Sequence, residues 1–75
     1  MNTVSTAYLL QSNDIGEFFS SFGYIKGTVI TIPVLFGAKE FTDKRDALAF
    51  VNANSPALDN FTVVKRTSTV LVEKA

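Results

Sequence analysis

The sequence predicts one small α+β domain: a three- to four-stranded, mostly antiparallel sheet with two helices on one face, in the order β-α-β-α-β-β. Three observations lead there. The chain has 75 residues, the size of a single domain spanning 1–75. Some stretches alternate in polarity with period two, whereas others repeat apolar residues near period 3.6. The two kinds are interleaved with short breaks, and no repeat, linker or low-complexity tract interrupts them.

Thr3 to Gln11 alternates, with Val4, Thr6, Tyr8 and Leu10 on one side and Ser5, Ala7, Leu9 and Gln11 on the other. Its Thr, Val and Tyr content suits a first strand. Ser12-Asn13-Asp14 breaks that pattern. Asp14 followed by Glu17 resembles a capping box, and Ile15, Phe18, Phe19 and Phe22 then fall on one helical face, with Gly23 as a stop. A first helix over 14–22 is the expectation, although Gly16, Ser20 and Ser21 are poor helix formers; an extended segment from Glu17 to Ile25 is the rival.

Thr28 to Phe36 reads as a strand. Ile30, Ile32, Val34 and Phe36 would share one face, and Val29, Thr31, Pro33 and Leu35 the other. Pro33 has no N–H to donate, which puts this strand at a sheet edge or makes it bulge. Thr42 or Asp43 caps a second helix from Asp43 to about Ala53, with Ala47, Leu48, Phe50 and Val51 as its apolar stripe. Asn54-Ser55-Pro56 ends it. Phe61 to Arg66 and Thr69 to Glu73 read as a terminal hairpin turning at Thr67-Ser68, or as one long bent strand. The face away from the helices would carry Val29, Leu35 and some of Tyr8, Val64 and Leu71.

Composition excludes more than it proves. A domain this short buries only about 60% of its unfolded surface, so its stability margin is thin. The chain has no cysteine and no histidine, which removes disulfides, thiolate ligands and the commonest nitrogen ligand. Seven Phe and two Tyr are left to supply the packing, with self-association as a further route. Lys plus Arg is 7 and Asp plus Glu is 7, and this neutral balance disfavours both a strongly basic nucleic-acid binder and an acidic mimic. No stretch approaches the roughly 20 apolar residues of a membrane span, and Met1 to Leu10 lacks the features of a signal peptide. Asn60-Phe61-Thr62 matches a glycosylation sequon, read as a chance match. A cytoplasmic location is the expectation.

No catalytic, cofactor or metal site is expected. The usual general base and the readiest nucleophile are both missing. Asp43 and Asp46 suit the dipole of a helix start better than they suit a metal. Ser20 and Ser21 have Lys26 nearby but no nucleophile turn around them. A chain this small struggles to enclose a pocket of several hundred Å3. Gly23-Tyr24-Ile25-Lys26-Gly27 precedes a strand rather than a helix and is not a phosphate loop. Lys26 to Ile30 lacks the stacking aromatics of an RNA-binding strand.

What remains is action through contact surface. The sequence points to a small protein-binding module, of the kind a bacteriophage accessory protein uses to inhibit or modulate a larger host protein. Tyr24, Val29, Leu35, Lys65 and Arg66 are the candidate partner-binding residues, acting by strand addition or through the open sheet face. Phe41 to Phe50, an apolar strand end running into a capped helix, resembles a pattern found in many small bacterial and bacteriophage accessory proteins. That resemblance implies a protein that binds something larger. The alternatives are a nucleic-acid-binding protein using Lys39, Lys44, Arg45, Lys65 and Arg66, and a small structural virion subunit. Homodimerisation by edge pairing would enlarge a marginal core.

Overall fold

The computed structural model describes residues 2–71, with side chains described over 4–69. The chain forms β1 (Asn2–Ser12), β2 (Phe18–Phe22), β3 (Val29–Ile32), α1 (Lys44–Ala53) and β4 (Phe61–Leu71). All four strands join one antiparallel sheet in the order β3-β2-β1-β4. The α+β class and the four-stranded antiparallel sheet agree with the sequence. The element order does not: it is β-β-β-α-β, with one helix among the described residues.

The expected helix over 14–22 is a tight turn followed by β2. Ser12 donates its N–H to the Glu17 carbonyl (2.8 Å), and its carbonyl accepts from Gly16 N–H (3.0 Å). Its side-chain oxygen accepts from the N–H groups of Asp14 and Ile15, so the residue before the turn satisfies the turn's own donors. Gly16 sits at φ +73°, a left-handed conformation that no α-helix contains. Asp14 bonds the Asn60 side chain instead of capping a helix. Nearby, Asn13 donates its N–H to the Asn60 carbonyl (2.9 Å).

A bulge explains why the phenylalanines mimic a helix. In β2, Phe19 lies opposite Thr31 and Phe22 opposite Val29, and the register shifts between Phe19 and Ser21. In a regular strand, residues three apart face opposite ways. The extra residue at Ser20 returns Phe22 to the Phe19 side, and their ring centroids lie 5.2 Å apart.

The remaining elements follow local chemistry. β3 stops at Ile32, before Pro33, and occupies one edge of the sheet; the expected strand to Phe36 is cut to four residues. Asp43 caps α1, its Oδ1 accepting from Arg45 N–H at 2.8 Å. At the other end, Asn54 Nδ2 donates to the Phe50 carbonyl (2.8 Å). The terminal hairpin is one continuous strand. β4 pairs with β1 from Ser12↔Phe61 to Asn2↔Leu71 without a register break, and the run beyond Leu71 lies outside the described residues.

The core lies between the sheet and α1. Leu10, Phe19, Ala47 and Leu58 are buried there, ringed by Tyr8, Val29, Phe41, Phe50, Val51, Phe61 and Val63. Leu48, expected in the helix's apolar stripe, is exposed. β1 and β2 pair only at Gln11↔Phe18 and then diverge. Residues 39–41 fill the gap: Tyr8 exchanges both backbone bonds with Phe41 (2.8 Å each), and Lys39 N–H donates to the Phe19 carbonyl (3.0 Å).

The opposite face is not open beside β1. Leu9 is 1% exposed and Ala7 is also buried. Arg66, paired with Ala7 across the strands, holds Glu40 through two hydrogen bonds of 2.9 and 3.3 Å. Ser20 Oγ donates to the Gly37 carbonyl (3.0 Å), and a Cβ at Gly37 would stand 3.2 Å from Ile32 Cδ1. The segment 33–38 therefore folds over this face. Two residues expected here, Tyr8 and Val29, pack against the helix-side core instead. Val64 stays on this face, opposite Leu9, and is half-buried. The side chain of Leu71 lies outside the described residues.

Candidate protein-binding surface

Ten large apolar side chains are exposed among the described residues, and seven of them fall within residues 22–36. Phe22, Tyr24 and Ile25 lead into the edge strand, Ile30 stands on it, and Val34, Leu35 and Phe36 follow it. Phe36 is 92% exposed and Tyr24 is fully exposed. A fully exposed aromatic side chain presents roughly 150–250 Å2, a range that Tyr24 and Phe36 approach. The seven stand on both sides of the β3 edge, Phe22 toward the helix-side core and Ile30 on the opposite face.

Local structure explains why these residues are presented. Gly23 N–H donates to the Thr28 carbonyl (2.8 Å), closing the β2–β3 turn at its base and projecting residues 24–27 outward. Ala38 N–H donates to the Leu35 carbonyl (3.1 Å) in the following loop. Between the turn and the C-terminal end of α1 lies an open groove of about 430 Å3. Phe22, Ile25, Ala53, Pro56 and Ala57 form its apolar lining, with Lys26 at the turn. A concavity of useful size does exist in this short chain, as an open groove rather than an enclosed pocket. Lys26 is the only charged residue from 18 to 38.

The sequence-predicted residues are dispersed by this geometry. Tyr24 and Leu35 belong to the exposed segment. Val29 is half-buried on the core. Lys65 and Arg66 are neighbours on β4, so their side chains leave opposite faces of the sheet; Lys65 stands opposite Tyr8, and Arg66 is tied to Glu40. Lys39 places Nζ 5.3 Å from the ring centres of both Phe41 and Phe50. Lys44 opens α1 and Arg45 follows it, both exposed. Arg66 thus leaves the face that carries Lys65, and its charge is met by Glu40. Phe22, Ile25, Ile30, Val34 and Phe36 were missed as surface residues, because an apolar side chain in a strand or helix pattern reads as core.

No cluster of His, Cys, Asp or Glu suited to a metal occurs among the described residues. No helix among them is long and apolar enough to cross a membrane. Comparison with protein-family models, with curated proteins and with solved structures finds no match to this chain.

Proposed function

We propose that this chain is a non-catalytic protein-binding module that modulates a larger protein, in the manner of a phage accessory protein. The bound element is an extended apolar segment of that partner, laid along the edge of β3. The observation that carries this reading is the concentration of exposed apolar side chains on both sides of an edge strand. Unpaired backbone along β3 would supply affinity, and the flanking aromatic and aliphatic residues specificity. Tyr24 is the natural anchor, because an exposed tyrosine gives a large contact area at low entropic cost. The near absence of charge in the segment selects an uncharged partner surface. The nucleic-acid alternative finds no comparable support, since its central doublet points to opposite faces.

The test is affinity capture with the wild-type chain and with Tyr24→Ala/Phe36→Ala, a double substitution at exposed positions that leaves the core intact. The wild type should retain a discrete partner in stoichiometric amount, and the double variant should lose about tenfold or more in affinity. Backbone hydrogen exchange should slow in residues 22–36 of the complex. No retained partner, or undiminished retention by a folded double variant, would defeat the proposal.

A further inference from the structure

The sheet has a second edge, unrelated to β3. β4 is 11 residues long and pairs with β1 at every position, and its other side has no neighbour among the described strands. The direction of its backbone groups follows from β1. Tyr8 gives both its N–H and its carbonyl to Phe41, away from β4, and Ser12 N–H likewise turns toward Glu17. Orientation alternates along an antiparallel ladder. Lys65, opposite Tyr8, therefore turns its N–H and carbonyl outward, as do Val63, Thr67 and Thr69. Phe61 shares this orientation, but its N–H is taken by the Leu58 carbonyl (3.1 Å).

Of the devices that protect edges, this edge carries only charge, the exposed Lys65 beside Arg66. It has no proline and no bulge, and its two charges sit together at the midpoint, where Arg66 already holds Glu40. Beyond that midpoint, residues 67–71 pair only with residues 2–6, so the sheet narrows to a two-stranded arm. No residue of the arm is charged. Two strands alone are marginally stable in water.

We infer that a second copy of this chain covers the β4 edge, by antiparallel β4–β4 pairing about a two-fold axis at Arg66. Lys65 then meets Thr67 of the partner subunit, and Val63 meets Thr69 of the partner subunit. Outward groups thus face outward groups. The ladder forms about ten hydrogen bonds, the number typical of a standard interface. Each arm lies beside the 61–65 half of the other copy, so the two-stranded arm becomes part of a four-stranded sheet. A foreign strand has no reason to match this length and alternation, whereas a second copy matches both by symmetry. The formal net charge of zero leaves no long-range repulsion between copies. At the axis, two Arg66–Glu40 pairs sum to no charge.

Light scattering and sedimentation from low micromolar to near-millimolar concentration test this, with Thr67→Pro and Thr67→Lys as variants. The proline removes one outward N–H and no bond to β1; the lysine sets like charges opposite each other across the axis. The wild type should form a closed dimer whose melting temperature rises with concentration. Both variants should keep the wild-type circular dichroism and dimerise at least about tenfold more weakly. Tyr24→Ala/Phe36→Ala should dimerise normally, which separates this interface from the β3 surface. A monomer throughout the range, an open series of larger species, or a dimer unaffected by either Thr67 variant would overturn the inference.

Discussion

At the scale of single residues, burial and capping set the expected costs. Phe19 is 1% exposed and meets Phe22, Phe50 and Phe61 at centroid distances of 5.2, 5.6 and 6.1 Å. Phe19→Ala should cost about 3–5 kcal/mol, enough to consume most of the stability of a domain this small, and a denaturant titration would show it. Asp43→Ala leaves Arg45 N–H without its acceptor; a loss of about 1 kcal/mol, or a melting temperature lower by about 4–8 °C, is expected by calorimetry. The cap at Asp43 was legible because its cause is local: a carboxylate meets a free N–H two residues away. Val29 was misplaced for the opposite reason. Its side is fixed by the strand opposite, through pairing with Phe22, and no nearby residue in the sequence reports that.

At the scale of elements, Ser20 is the extra residue of the β2 bulge. Deleting it removes the bulge but leaves Phe19, Ser21 and Phe22 opposite Thr31, Ile30 and Val29, so Phe22 stays on the Phe19 side; an alanine inserted between Ser21 and Phe22 instead turns Phe22 to the other face. Deletion of Ser20, which keeps every β2–β3 pairing, should therefore cost less than the alanine insertion, which removes Phe22 from Phe19 and Phe50 and loses about 0.5–1.5 kcal/mol for each aromatic pair. Equal melting temperatures for the two variants would contradict this account. The same bulge explains why β2 was read as a helix: Phe19 and Phe22 have helical spacing, and one inserted residue lets a strand put both on one face while Phe18 turns to the other. β1, β3 and α1 were legible because alternation, Pro33 and the Asp43 cap act within a few residues. The continuity of β4 was not, since Thr67-Ser68 carries no turn residue and only β1 decides between a hairpin and a straight strand.

At the scale of the whole molecule, shape and topology dominate. The principal extents are 50 × 23 × 21 Å and the Cα radius of gyration is 14.4 Å, against about 11 Å for a compact chain of this length. The excess comes from the arm of β1 and β4. Refolding should be slow for the size of the domain, in milliseconds to seconds, because β1 and β4 join opposite ends of the described chain; microsecond relaxation in stopped-flow or temperature-jump experiments would contradict this. The same connection constrains biosynthesis. On the ribosome, β1 is translated before the other described strands, but the strand that covers one whole side of it comes after all of them. The backbone groups of Ala7, Leu9 and Gln11 therefore wait, unpaired on that side, while nearly the entire domain is made. A nascent chain stalled before Phe61 would present them to whatever chaperone is near the exit tunnel, and the domain closes only after β4 has cleared it.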